Sequence, residues 1–193
     1  MNLILLRHGE TVWNAAHKLQ GMRDVSLSEK GMEDAWQLHD SLIKYGVTFE
    51  KVYSSPLSRA KKTAKIITGK PSSEIIIDED IREMSFGVNE GKYYRLEADA
   101  DMSKVDPNLV NFSQNPNAYV TPEGGESFEE VIARTGAFYK RLISENTQVK
   151  GNVLVVSHGA ALHALIYNIE KKTDMNDYWT PHIGNCGVVE FKI

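Results

Sequence analysis

MNLILLRHGETVWN, residues 1–14, is the stretch whose reading decides the fold. Leu3 to Leu6 form a four-residue apolar run closed by Arg7, which predicts a short buried strand. The run is too short for the core of a signal peptide and far too short to span a bilayer. A soluble, cytoplasmic protein is therefore expected. Arg7-His8-Gly9 then stands at the carboxyl end of that strand.

Working outward, short apolar runs alternate with helical patterns. Met32, Ala35, Leu38, Leu42 and Tyr45 recur at spacings of three and four, one face of a helix. Val52-Tyr53 is a second strand candidate. Ser55-Pro56 reads as a helix start, with serine as cap and proline at the first helical position, and that helix runs through Ala60, Ala64 and Ile67 to Gly69. Ile75–Ile77 is a third strand candidate. From about Gly87 to Glu126 the prolines, glycines, asparagines and scattered aromatics predict a long excursion with one irregular helix, of the kind that covers a site. Ser127 to Glu130 forms a capping-box pattern, and Phe128, Val131, Thr135, Phe138 and Leu142 share one face of the helix it opens. Val153–Val156 is a β-branched strand, Ala160–Ile169 a helix and Val188–Phe191 a last strand. This alternation predicts an α/β fold, a three-layer α/β/α sandwich around a mostly parallel central sheet, in a single domain over 1–193.

With 193 residues, 41% hydrophobic and 25% charged, the chain can bury a full core without metal or disulfide staples. The lone cysteine, Cys186, excludes an internal disulfide framework and suits a reducing compartment. A net charge of -4 gives no basic field for nucleic acid, yet leaves room for a locally positive pocket.

Three strand-to-helix junctions carry cationic or imidazole side chains: Arg7-His8-Gly9, Arg59 in the first turn after the second strand, and Ser157-His158-Gly159. Ligands of open α/β sheets bind at the carboxyl ends of strands, where helix N-termini add positive potential. Two arginines and two histidines at such a place describe a phosphoryl site. Arginine forks recognise phosphate oxygens, and histidines can supply a nucleophile and a charge-stabilising donor.

Arg7-His8-Gly9-Glu10-Thr11 followed by Trp13-Asn14 resembles the signature of the histidine phosphatase superfamily, in the branch containing cofactor-dependent phosphoglycerate mutases. The resemblance continues through Leu19-Gln20-Gly21, Asp24, Leu27-Ser28, Gly31 and Ser54 to Ala60. It extends to Glu83, Phe86-Gly87, Glu90-Gly91, Gly124 to Ser127 and Ser157-His158-Gly159, in family order across nearly the whole chain. It implies the phosphoglycerate mutase-like fold, with His8 as the nucleophile that becomes phosphorylated. Arg7, Arg59 and His158 would bind the transferring group, and Glu83 would protonate the leaving oxygen and then activate water. Asn14, Gln20, Gly21 and Gly159 would complete the phosphate and substrate contacts. Neither metal nor cofactor is implied. The partner is a small phosphate monoester, with no nucleic acid and no membrane, and the protein is expected to be a monomer or homodimer.

Two other readings stand beside a phosphatase. A mutase needs cations for a substrate carboxylate, and mutases of this family carry adjacent arginines in the excursion. Here 87–126 holds only Lys92, Arg95 and Lys104, against Glu90, Glu97, Asp99, Asp101 and Asp106. Phe86 stands where mutases place a tyrosine, and Gln20 where they carry serine, so a phosphatase is expected. The third reading, a non-catalytic phosphate-binding or interaction domain, conflicts with the presence of every chemical position. Glu10 is read as orienting its neighbours or capping the following turn, His17, His39 and His182 as surface or packing residues, and Met32 and Trp36 as packing residues. His163 lies off the helical face of His158, which disfavours a metal pair and leaves a substrate contact open. Tyr93, Tyr94, Phe112 and Tyr119 are candidates for a stacking wall.

Overall fold

A computed structural model describes residues 1–94 and 106–193. Arg95, Glu97, Asp99, Asp101 and Lys104 of the excursion lie outside the described residues. Five strands, β1 (Asn2–Arg7), β2 (Lys51–Ser54), β3 (Ile76–Ile77), β4 (Asn152–Ser157) and β5 (Val188–Lys192), form one sheet in the order β3-β2-β4-β1-β5. All neighbours are parallel except β5, which runs antiparallel to β1. Leu5 is therefore flanked by Val155 on one side and Val189 on the other.

Alternate residues of a strand face opposite sides, and here both sides are covered. Leu3, Leu5, Val153 and Val155 pack with Phe138 and Leu142 of α5 (Phe128–Glu145) and Leu162 of α6 (Gly159–Ile169). Ile4, Leu6, Leu154 and Val156 pack on the other face with Ala35 of α2 (Glu29–Lys44) and Ala60, Ala64 and Ile67 of α3 (Ser58–Thr68). A short helix α1 (Val12–Ala15) follows β1, and α4 (Pro107–Gln114) lies in the excursion. The expected sandwich is the observed architecture. No helix among the described residues is long and apolar enough to cross a membrane.

The capping box at Ser127 forms as expected: Ser127 N–H donates to Glu130 Oε2 at 2.7 Å, and Glu130 N–H to Ser127 Oγ at 3.2 Å. Three details differ. Helix α3 starts at Ser58, capped at Leu57, and not at Ser55-Pro56. The buried Ser55 hydroxyl accepts from His158 Nε2–H at 2.7 Å and from Leu57 N–H at 3.3 Å, so it anchors His158 and closes the turn ahead of the helix rather than capping it. Strand β3 keeps only the exposed edge residues Ile76 and Ile77, because buried Ile75 closes a preceding 3₁₀ turn. Trp36, expected to pack, is 52% exposed and meets His39 edge to face.

The turn after β1 is set by two glycines. A Cβ on Gly9 would meet Gly31 O at 2.6 Å, and one on Gly31 would meet Glu10 O at 2.1 Å and Glu10 N at 2.6 Å. The first turn of α2 thus lies backbone to backbone on the loop that presents His8. Ser28 ties the contact: its N–H donates to Glu10 O at 2.9 Å, its hydroxyl donates to Glu10 Oε1 at 2.9 Å, and its Oγ caps Gly31 N–H. Gly31→Ala is expected to cost about 1–3 kcal/mol in chemical denaturation, since neither backbone can yield cheaply. Unchanged stability in that variant would contradict this packing.

Candidate active site

The carboxyl ends of β1, β2 and β4 lie together, and a cavity of about 340 Å³ opens there. His8, immediately after β1, is buried at its floor. Nδ1 lies 2.7 Å from Gly9 O, so Nδ1–H donates to that carbonyl and the lone pair sits on Nε2. Burial pushes the imidazole well below its ordinary pKa, and the charges of Arg59 and Arg7 push it further.

Arg59, in the first turn of α3, is 1% exposed. Its Nε–H donates to His158 Nδ1 at 3.2 Å, Nη1 to Arg23 O at 2.8 Å and Nη2 to Gly21 O at 2.8 Å. A guanidinium has five N–H donors, so each terminal nitrogen keeps one for a ligand. Arg7 donates from Nη1 to Ile183 O at 2.8 Å, while its buried Nε has no partner among the described residues. An unpaired buried N–H is costly, and a phosphate oxygen would satisfy it. Gly159 lies against this side chain: a Cβ there would stand 3.6 Å from Arg7 Cζ, an ordinary contact.

Asn14 and Gln20 are set by Thr11. The Thr11 hydroxyl lies 3.0 Å from Asn14 Oδ1 and 2.9 Å from Gln20 Oε1, and Thr11 N–H donates to Asn14 Oδ1. Both amide oxygens are thereby occupied, leaving the amide nitrogens as the donors these two side chains offer the cavity they line. Gly21 also lines it, and its carbonyl anchors Arg59.

Glu83 lines the cavity at the N-terminus of α6. Its Oε1 accepts from Met84 N–H at 2.9 Å and Ala161 N–H at 3.1 Å, and Oε2 from Ala160 N–H at 3.4 Å. The acidic neighbours that crowd the same loop point elsewhere: Asp78 and Asp80 both pair with Arg141 at 2.9 and 2.8 Å.

His158 differs from the expected direct contact with a phosphoryl group. It is fully buried and does not line the cavity. Nδ1 accepts from Arg59 and Nε2–H donates to Ser55 Oγ, so both ring nitrogens are engaged. Its ring stands 5.0 Å from that of His8, and burial, then Arg59, pushes it well below the usual histidine pKa. It reaches the site through Arg59.

Of the expected wall, Tyr94 and Phe112 line the cavity, whereas Tyr93 and Tyr119 do not. Tyr119 instead packs on Phe112 and Phe128, and burial pushes its hydroxyl up to about 12. Sequence reasoning missed Lys18, Leu109, Trp179 and Ile183, which line the cavity from segments without a motif, and gave His182, also on the wall, a surface or packing role. Only the aromatic and apolar character of the stretches holding Leu109, Trp179 and Ile183 could have flagged them. His163 lines it too, with Nδ1 2.6 Å from Gly159 O and Nε2 3.0 Å from Pro181 O. Burial lowers its pKa by more than the two carbonyls raise it. His39 Nδ1 meets Ile67 O at 3.0 Å and His17 meets the edge of Tyr94, both packing roles. Glu10, holding Ser28, orients its neighbours.

The family sequence model for the histidine phosphatase superfamily (branch 1) matches residues 3–193. The chain belongs to this family. Among branch 1 relatives, it is 34% identical over 190 residues to a candidate phosphoserine phosphatase of Hydrogenobacter thermophilus, covering 97% of this chain and 87% of that one. It is 33% identical over 174 residues to the 2,3-bisphosphoglycerate-dependent phosphoglycerate mutase of Brucella melitensis, covering 89% and 82%. The solved structure of Bacillus stearothermophilus YhfR overlays with a TM-score of 0.83 at 32% identity, covering 100% of this chain and 91% of that one.

The buried histidines make a solution prediction. His8, His158 and His163 all have lowered pKa values in the folded state. Unfolded histidines protonate near 6.5 while these stay neutral, so stability is full above that pH and is lost as pH falls below it. In a ¹⁵N NMR titration of the free protein, His8 is expected to remain the neutral Nδ1–H tautomer and His158 the neutral Nε2–H tautomer from pH 7.5 to below 6.5. A His8 midpoint at or above 6.5 would contradict the site.

Proposed function

We propose that this protein is a phosphatase that cleaves small phosphate monoesters through a phosphohistidine on His8, acting as a single cytoplasmic domain with a small-molecule partner. The observation that carries the reading is His8 itself: Nδ1–H is committed to Gly9 O, and Nε2 keeps its lone pair in a cavity flanked by Arg7 and Arg59. Phosphoryl transfer needs positioning and positive charge around the equatorial oxygens more than covalent machinery. The free N–H groups of Arg7 and Arg59 are the donors for those oxygens, with the Asn14 and Gln20 amides beside them.

In the first step the Nε2 lone pair attacks phosphorus, the N–P bond forms and the P–O ester bond breaks. The leaving alkoxide takes the proton of Glu83. In the second step the Glu83 carboxylate takes a proton from water, whose oxygen attacks phosphorus as the N–P bond breaks. Phosphate leaves, and His8 and Glu83 return to their starting forms. His158 serves by holding the Arg59 fork. None of these steps requires a metal.

The wall of the cavity favours hydrolysis over mutation of phosphoglycerates. Leu109, Phe112 and Trp179 are apolar surfaces, suited to the body of a monoester. Lys92, in 87–126, donates from Nζ to Asn89 Oδ1 at 2.7 Å and does not line the cavity, whereas Lys18 does. Gln20 and Phe86 stand on the cavity where mutases carry serine and tyrosine. The phosphatase name of the Hydrogenobacter relative agrees with this reading.

The test is an assay in EDTA against p-nitrophenyl phosphate, phosphoserine, sugar and nucleoside phosphates, and 3-phosphoglycerate with catalytic 2,3-bisphosphoglycerate. Phosphate release is expected to survive EDTA and to fall by roughly 10³-fold or more in His8→Ala. Interconversion of 3- and 2-phosphoglycerate without phosphate release would replace the phosphatase reading by the mutase one.

A further inference from the structure

Arg134, on α5, directs all five of its N–H donors at two short stretches of chain. Nε donates to Glu126 Oε1 at 2.8 Å and Nη2 to Glu126 Oε2 at 3.1 Å, a two-pronged pair. The second Nη2 proton goes to Glu83 O at 3.1 Å, and the two Nη1 protons go to Asp80 O and Arg82 O, both at 2.8 Å. No donor remains for anything else. Glu126 in turn accepts Ser85 N–H on Oε2 at 2.8 Å, and its own N–H donates to Ser85 O at 2.9 Å. The main chain is therefore gripped on both sides of Glu83, at 80–83 by Arg134 and at 85 by Glu126. A third tie comes from β4, where Ser157 Oγ–H donates to Ile81 O at 2.6 Å.

The grip is sheltered and charged. The Arg134 and Glu126 side chains are 12% and 17% exposed. Burial opposes ionisation of Glu126, but the Arg134 fork, with the Ser85 N–H and the Arg82 charge, outweighs it and holds the carboxyl below its ordinary range. Bidentate ionic hydrogen bonds of this kind fix geometry as well as energy. Arg134 does not line the cavity. What it controls is the backbone from which the Glu83 side chain reaches the N-terminus of α6 and the cavity wall.

We infer that Arg134 is a positioning residue for proton transfer: its five-bond clamp on residues 80–83 and Glu126 sets where the Glu83 carboxyl group stands against the leaving oxygen. The inference rests on the reading of Glu83 as the acid in the proposed mechanism. It has a signature that a merely structural role lacks. An alkoxide must be protonated as it leaves, whereas p-nitrophenolate leaves readily without a proton. Displacing the acid therefore penalises substrates in proportion to the basicity of their leaving groups. A general loss of packing penalises them all alike.

The experiment is a leaving-group series, from p-nitrophenyl phosphate through less acidic phenols to an alkyl monoester, read as kcat/KM so that only transfer to His8 is reported. Wild type, Arg134→Gln, Arg134→Lys, Glu126→Gln and Glu83→Gln are compared, with thermal melting of each. Arg134→Gln is expected to lose roughly 10²-fold on the alkyl ester and less than about fivefold on p-nitrophenyl phosphate, steepening the leaving-group dependence as Glu83→Gln does. Arg134→Lys, which keeps part of the clamp, is expected to fall between wild type and Arg134→Gln. If Arg134→Gln does not fold, Arg134→Lys and Glu126→Gln carry the comparison, and each is expected to steepen the series. A parallel loss across the series in the Arg134 and Glu126 variants, with a steepened one in Glu83→Gln, would overturn the positioning role alone. A series left unsteepened by Glu83→Gln would overturn the acid assignment, and the positioning role with it.

Discussion

Positive charge held in a dry place is the constraint on which the rest of the structure depends. Arg59 is buried and Arg7 nearly so, yet among the described residues neither is neutralised by a direct carboxylate pair. A buried cation is costly unless hydrogen-bonded. Here the partners are neutral: the carbonyls of Gly21, Arg23 and Ile183, and the imidazole of His158. These acceptors orient the guanidinium groups without cancelling their charge, and they leave N–H groups over. Burial first, and then the same field, keeps His8 and His158 unprotonated. An anion is the one kind of ligand that completes such a site, and a neutral imidazole at its floor is ready to act as nucleophile.

The fold supplies the frame for that charge. Parallel β1, β2 and β4 end at one level, so residues distant in sequence meet: His8 and His158 by way of adjacent strands, Arg59 from the helix after β2. Glu83 arrives from a loop with no regular structure of its own. It needs other ties, and these come from the end of β4 and from α5. The backbone contact between Gly9 and Gly31 plays the same part for His8, pressing the nucleophile's loop onto α2. In each case a flexible connection is made exact by an element that has no chemistry of its own.

Much of this was legible in the sequence because it depends on local rules. The apolar runs at Leu3 and Val153 could only be buried strands, and the alternation of strands with amphipathic helices specified the layers. The capping box at Ser127 located α5 to the residue. Motif order brought Arg7, His8, Arg59 and Glu83 to one cavity. What was not legible depends on contacts made only after folding. Ser55 has the look of a helix cap, but its hydroxyl binds His158 and the Leu57 N–H one residue before the helix starts. His158 carries a motif yet sits behind the wall, because Arg59 and Ser55 occupy both of its nitrogens. Trp179, Leu109 and Ile183 form the wall without a motif, since an apolar surface for the body of a substrate needs no fixed spacing. Arg134 falls on a helix that pattern alone would call structural. Its importance lies in carbonyls some fifty residues away in sequence.

The most direct test of the account is to catch the intermediate. Enzyme mixed with p-nitrophenyl phosphate and quenched in alkali within a turnover, where phosphohistidine survives, can be digested and mapped by mass spectrometry. The account predicts a single phosphoryl group on the peptide containing His8, attached at Nε2, and none in His8→Ala. Phosphate release during turnover with no phosphorylated peptide, or with the phosphoryl group on His158, would contradict it.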